Sequence, residues 1–173
     1  SVRYNYRTHW AFAIPQISIR NVNTFYDQDT INEFDSTNRS SKDKSYTVPQ
    51  ITFDAGLTFE KEGTFLQTLS PRMFYAYAPY KNQDGAPNFD SVAASINYDQ
   101  LFSPNRFYGH DRLEDNNFLS LGLSYSLFDT VGLERLKASV GQSYYFEDRR
   151  VTLDQTTDLF DNEKHTGPIV SVS

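Results

Sequence analysis

Residues 118–128 read Phe118-Leu119-Ser120-Leu121-Gly122-Leu123-Ser124-Tyr125-Ser126-Leu127-Phe128. Leu119, Leu121, Leu123, Tyr125 and Leu127 share one parity, and Ser120, Gly122, Ser124 and Ser126 share the other. A period of two places these sets on opposite faces of a β-strand. One face is apolar and the other carries only small or hydroxylic groups. A soluble sheet buries its apolar face against a second layer. A membrane barrel turns that face to lipid and keeps the small polar face toward a wet interior.

Composition favours the second arrangement. The chain has 173 residues, 16% aromatic, with a mean hydropathy of −0.60. Low hydropathy with many Tyr and Phe suits a barrel wall, where only alternate positions are apolar and aromatics gather at the interfaces. No run reaches the roughly 20 apolar residues of a transmembrane helix. A net charge of −6 and a pI near 5.0 argue against a nucleic-acid partner. The absence of cysteine leaves no thiolate chemistry or Cys-based metal site in this stretch. Ser1-Val2-Arg3-Tyr4 does not read as a signal peptide, and the chain stops inside the strand-like run from Ile169 to Ser173. Both ends are therefore expected to be cut from something longer.

The pattern predicts an all-β, antiparallel up-and-down meander of about six strands, part of a large transmembrane outer-membrane β-barrel. The strands are placed at residues 10–26, 46–60, 65–77, 117–128 and 136–146 and from about 167 onward. The whole chain, 1–173, reads as one partial barrel domain. Long polar connections at 27–45, 81–116 and 147–166 alternate with short turns at Glu62-Gly63 and at 129–135. In a meander, alternate connections share a side, so the long loops gather at one rim and the short turns at the other, as in bacterial outer-membrane barrels.

Parity assigns faces along the other strands. Ile51, Phe53, Leu57, Leu69, Met73 and Tyr75 are expected to face lipid, with Leu119, Leu121, Leu123, Leu127, Val140 and Tyr144. Thr52, Asp54, Gly56, Thr58 and Arg72 are expected to face the lumen, with Ser120, Gly122, Ser124, Ser126, Lys137, Ser139, Gly141 and Ser143. A three-residue loop, Glu62-Gly63-Thr64, would pair Leu57 with Leu69 and Phe53 with Met73, with Gly63 in the left-handed conformation. That register sets Asp54 opposite Arg72 and predicts an ion pair. The Ser/Gly patch is so bare that it implies a wide lumen or one filled by another protein. Gln142 breaks the apolar parity and marks either an interface or a bulge. Pro15, Pro49 and Pro71 lie inside strands, and Pro71 requires a bulge or a weakened strand pair.

Several separated motifs, in order, resemble a known family. Gln67-Thr68-Leu69-Ser70-Pro71-Arg72-Met73-Phe74-Tyr75-Ala76-Tyr77-Ala78-Pro79-Tyr80 is similar to a segment of the LptD (OstA/Imp) family of lipopolysaccharide-assembly outer-membrane proteins. The likeness continues through Asn88-Phe89-Asp90-Ser91, Leu101-Phe102, Asn105-Arg106-Phe107, Gly109-His110-Asp111-Arg112 and Val140-Gly141-Gln142-Ser143-Tyr144-Tyr145-Phe146. Ser70 departs from the family's acidic residue at that position. The resemblance implies the middle part of a large C-terminal barrel that inserts lipopolysaccharide into the outer leaflet of a Gram-negative outer membrane. It also implies an LptE-like plug lipoprotein as partner, beside outer-membrane lipid and lipopolysaccharide. Six strands cannot close a barrel, and open edges cannot sit in lipid, so the rest of its own barrel, a barrel-assembly machine or another chain is expected to complete it. The family's periplasmic jellyroll domain and gate strands have no match in this stretch.

The segment 80–117 concentrates aromatic and charged residues: Asn88, Asp90, Phe102, Arg106, Phe107, Asp111 and Arg112. It is expected to fold as a cap over or into the lumen, with Arg106 and Arg112 bound to carboxylates. The alternative is a surface excursion held by its own aromatics. A contact of either arginine with a lipid phosphate is a further option, since the guanidinium fork suits anions. Asp27, Asp29, Glu33 and Asp35 lack the glycine turn and terminal glutamate of a calcium loop and read as solvated. His110-Asp111 beside a serine does not make a triad without the geometry. No catalysis, cofactor or metal is expected. Tyr144, Tyr145 and Phe146 read as girdle aromatics. On the residues alone, two other classes stay open: a porin or uptake barrel, which would carry charge ladders in its lumen, and a soluble glycan-binding β-sandwich.

Overall fold

The computed structural model describes residues 1–24, 44–81, 92–93, 97–105, 107–108, 115–147 and 164–173. One antiparallel sheet dominates. Its strands are β1 (Val2–Arg3), β2 (Tyr6–Arg7), β3 (Ala11–Thr24), β4 (Lys44–Leu57), β5 (Phe59–Lys61) and β6 (Leu66–Ala78). Beyond a small separate ladder, β7 (Val92–Ala93) with β8 (Phe107–Tyr108), come β9 (Asn116–Phe128), β10 (Glu134–Tyr145) and β11 (Ile169–Val172). The main sheet runs β1-β3-β4-β6-β9-β10-β11, with β2 beside β3 and β5 beside β6. Every pairing in it is antiparallel, and the strands lie side by side in chain order, which makes an up-and-down meander.

The first rung has no counterpart among the expected strands. β1 and β2 fold back on β3 through a tight turn in which Thr8 N–H donates to the Ala11 carbonyl at 2.8 Å. This adds a third short turn to those at 62–65 and 129–133, so the short–long alternation extends to the N-terminal end.

The β4–β6 register differs from the predicted one by two residues. Phe53 pairs with Tyr75, Ala55 with Met73 and Gly56 with Arg72; beyond Leu57, Phe59 pairs with Leu69. The connecting loop is longer than three residues. Gly63 does not adopt the left-handed conformation; among described residues only Gly132 does, at φ 82°. A shift by two keeps every residue on its expected face, because side chains alternate with period two.

The prolines explain where the ladders break. Tyr4 N–H donates to the Pro15 carbonyl at 3.1 Å. The proline's missing donor therefore lies on that same side, where β1 gives way to β2. Pro71 sits opposite Leu57, where β4 ends before β5 resumes. Thr58 N–H turns the other way and donates to the Trp10 carbonyl at 2.8 Å. Pro49 lies beyond the Ile51–Tyr77 end of the β4–β6 pairing. Each proline thus costs a ladder on one side only, and β6 still pairs without interruption to β9 across Pro71–Leu123. Gln142 lies at a slip between β10 and the segment before β11: Tyr144 pairs with His165, but Gly141 pairs with Ile169. Its side-chain amide donates to the Thr166 carbonyl at 2.6 Å.

The two faces differ sharply. Leu121 and Val140 are 45% and 44% exposed, while Ser120 and Ser143 on the opposite face are 0% and 2% exposed. The buried side chains therefore gather on the side that carries the small polar residues. Phe74, Ala76, Leu101, Phe102 and Phe118 form the main core there, with Tyr98, Tyr145 and Ile169 packed around it. Val48 and Ala78 form a second cluster with Val22 and Tyr46.

Candidate functional site

The covered face is built from a floor of small residues and an inserted turn. Across β9 and β10, Ser120 pairs with Ser143, Gly122 with Gly141, Ser124 with Ser139 and Ser126 with Lys137. The Ser120 and Ser143 hydroxyls meet at 2.6 Å. On the β6 side, Arg72 pairs with Gly122 and Phe74 with Ser120. Onto this floor folds a single 3₁₀ turn, Asp99–Phe102, preceded by Tyr98. Asn97 starts it by accepting the Gln100 N–H at 2.8 Å through its side-chain oxygen.

The glycines are what let the turn approach. A Cβ on Gly122 would stand 2.5 Å from Phe102 Cζ and 2.9 Å from the Tyr98 hydroxyl. One on Gly141 would stand 2.7 Å from Leu101 Cδ1. The chain's own turn therefore covers the glycines of the bare patch, as a cap packing into the lumen would. Tyr98 packs edge-on against Phe102, centroids 5.2 Å apart. Burial raises the Tyr98 phenol pKa against the opposing effects of a hydrogen bond with Ser124 and the Arg72 charge.

Arg72 stands beside this turn. Its Nε and Nη2 donate to the two oxygens of Asp54 at 2.9 and 2.8 Å, a bidentate pair. Its guanidinium carbon lies 4.3 Å from the Phe102 ring centroid and 5.9 Å from that of Phe12. Gly56 makes room for Phe12, since a Cβ there would come within 2.5 Å of Phe12 Cε1. Further along, Arg20 donates to Asn105 Oδ1 at 2.6 Å and Asn116 donates to the Pro104 carbonyl at 2.7 Å. The Gln100 side-chain amide donates to the Asn105 carbonyl.

The expected site residues fall as follows. Thr52, Asp54, Gly56, Arg72, Ser120, Gly122, Ser124, Ser126, Ser139, Gly141 and Ser143 lie on the covered face; Lys137 shares it but is exposed at the short-turn end. Thr58 sits at the ladder break. Ile51, Phe53, Leu57, Leu69, Met73, Tyr75, Leu119, Leu121, Leu123, Leu127, Val140 and Tyr144 lie on the other face, half-buried or exposed. Tyr145, whose parity sets it inward with Gly141 and Ser143, packs inward against Phe118, centroids 5.6 Å apart, and so departs from the girdle reading. Phe146 instead neighbours Tyr75 at 6.4 Å. Phe102 is seated on the floor, and the backbone of Phe107 joins the β7–β8 ladder. Asn88, Asp90, Arg106, Asp111 and Arg112 lie outside the described residues, as do Asp27, Asp29, Glu33, Asp35 and His110. Tyr98, and Leu101 as an anchor, are not among the expected site residues. The available signal was an apolar Leu-Phe pair within a polar connection, facing a stripe of glycines.

A meander with alternating long and short connections, an exposed apolar face and a small polar face under an inserted loop is the wall of an outer-membrane-type β-barrel. Residues 1–171 match the family described as LptD, LPS transport system D. The chain belongs to that family. It is 66% identical over 173 residues to the LPS-assembly protein LptD of Acinetobacter baylyi, covering 100% of this chain and 21% of that protein. The protein of the same name from Acinetobacter baumannii is 69% identical over 173 residues, with 100% and 21% covered. That of Pseudomonas aeruginosa is 41% identical over 156 residues, covering 83% of this chain and 16% of that protein. The chain spans 21% of the length of its Acinetobacter relatives.

Proposed function

We propose that this chain is a wall sector of an outer-membrane translocon that inserts lipopolysaccharide into the outer leaflet. Membership of the LptD family supports the substrate. The observation that carries the membrane assignment is the reversal of faces: Leu121 and Val140 stand exposed while the Ser/Gly stripe is covered. A soluble glycan-binding sandwich would bury the former. The exposed set around Ile51, Leu57, Leu69, Leu121, Leu123, Val140 and Tyr144 meets hydrocarbon in this reading, and the covered set faces the lumen. Tyr75, Tyr144 and Phe146 belong to the aromatic girdle near the long-loop rim. A porin is less well supported, because the lumen set is mainly Ser, Thr and Gly and its central charges, Asp54 and Arg72, neutralise each other.

Among the described residues, the edges β1/β2 and β11 each have a neighbour on one side only. An open edge in lipid leaves backbone groups unpaired. Further strands of a longer chain complete the wall in this reading, and an LptE-like lipoprotein fills the remaining lumen. The test uses the full-length protein in its host. Arginine in place of Leu121 or Val140 costs about 2–4 kcal/mol if these positions lie near the bilayer midplane. Folded, heat-modifiable barrel and surface lipopolysaccharide should both fall, whereas Val131→Arg, in a short turn, should be tolerated. Normal insertion and export with both Leu121→Arg and Val140→Arg would overturn the assignment.

A further inference from the structure

The wall has a defect, and the inserted turn, seated over β6, β9 and β10, reaches its edge through Phe102 against Arg72. At the β4–β6 seam the Thr58 N–H points toward β3, where it meets the Trp10 carbonyl. Backbone groups alternate sides along a strand, so Leu57 presents its N–H and carbonyl to β6. The residue facing it is Pro71, which has no N–H to return. Pairing stops at Gly56–Arg72 and resumes at Phe59–Leu69.

Side chains cluster at that break on the covered face. Arg72 is next to Pro71 and belongs to the last pair before the gap. Its fork reaches back across the seam to Asp54 at 2.8 and 2.9 Å. Phe12 approaches the same guanidinium from β3, over Gly56. Phe102 lies against it at 4.3 Å from within the turn. The turn is itself keyed into unbroken ladder on the far side, through Gly122 of β9 and Gly141 of β10.

We propose that the Tyr98–Phe102 turn is an internal brace that holds the proline-interrupted β4–β6 seam closed by pressing Phe102 onto the Asp54–Arg72 pair. The intact β9–β10 ladder is the anchor, Arg72 is the contact, and the seam is what the brace protects. Arg72 is a positioning residue here. It needs the planar fork, because an ammonium keeps the charge but loses both the bidentate bond and the stacked surface. The inference rests on the barrel-wall reading, because a seam that opens is consequential only where no second layer supports it.

Amide hydrogen exchange on the full-length protein in detergent tests this. In the wild type, peptides spanning residues 52–60 and 119–125 should both exchange slowly; rapid exchange in both would count against the barrel reading itself. Phe102→Ala and Arg72→Lys should each speed exchange at 52–60 by about tenfold and leave 119–125 near its wild-type rate. Adding Pro71→Val to Phe102→Ala returns the missing donor and should restore slow exchange at the seam. General loosening of the fold would not be rescued at one backbone position. The proposal is overturned if neither variant changes the seam, if β9 accelerates equally, or if Pro71→Val does not rescue.

Discussion

Asp54 and Arg72 are not cross-strand partners, yet they form the bidentate ion pair of the covered face. Asp54 sits opposite Phe74 and Arg72 opposite Gly56, so the pair runs diagonally across β4 and β6. Arginine is long enough to span the diagonal. The Arg72 and Asp54 side chains are 33% and 19% exposed, so solvent screens the pair only in part.

Breaking that diagonal should cost stability in an ordered way. Asp54→Asn keeps the shape and one acceptor and should lose about 1–2 kcal/mol. Arg72→Met should lose more, because it strands the carboxylate and removes the surface under Phe102. A double-mutant cycle on urea unfolding of the full-length protein should give a coupling of about 1 kcal/mol between positions 54 and 72. A coupling indistinguishable from zero would mean that the geometry carries no energy.

Side chains added to the glycine floor should unseat the turn. Gly122→Val and Gly141→Val place carbon atoms where Phe102 and Leu101 now lie, an overpacking worth about 1–3 kcal/mol. Proteolysis or exchange within residues 97–105 should quicken in both variants. Gly132→Ala should leave that segment unchanged, since nothing lies within 4 Å of its Cβ direction. It should instead strain the turn through its φ of 82°.

The faces were legible in the sequence because period-two patterning survives errors of register. Any even slip leaves Phe53 and Asp54 on their own sides, so parity settled the faces and could not settle the pairing. The ion pair was anticipated for the same reason, although its geometry is diagonal. Pro71 announced a weak point, and the ladder does break beside it. The N-terminal rung was missed because Tyr4 and Asn5 interrupt it opposite Pro15, leaving fragments too short to show a period. The occupant of the Ser/Gly stripe was hidden by distance along the chain. Nothing local to Gly122 or Gly141 specifies Leu101 or Phe102, and only the fold brings them together.

The buried serine pair separates bond energy from burial cost. Ser120 and Ser143 are joined at 2.6 Å and are sealed from solvent. Either single alanine leaves one hydroxyl without this partner and should cost about 1 kcal/mol or more. Ser120→Ala with Ser143→Ala removes both polar groups and should cost less than the sum of the singles. Thermal unfolding of the four proteins checks this, and strict additivity would deny the two hydroxyls any coupling.

The turn between β9 and β10 should respond to acid through a single carboxyl. Asp129 Oδ1 accepts N–H bonds from Val131 at 3.0 Å and Leu133 at 2.9 Å. Its Oδ2 accepts from Arg135 Nε at 2.7 Å. The Leu133 N–H leads in holding the Asp129 pKa below its usual value, with Arg135 and Val131 adding to it against a smaller desolvation effect. A carboxyl whose folded pKa is depressed binds its proton more readily once the turn opens. Its contribution is therefore complete above the unfolded value of about 3.9 and is lost as pH falls through the lower folded value. Protection of the Val131 and Leu133 amides should fall on acidification through that window, after correction for the intrinsic pH dependence of exchange. Asp129→Ala should show low protection already at neutral pH and no further step. A wild-type turn whose protection stays flat across the window would show that the carboxylate does not hold it.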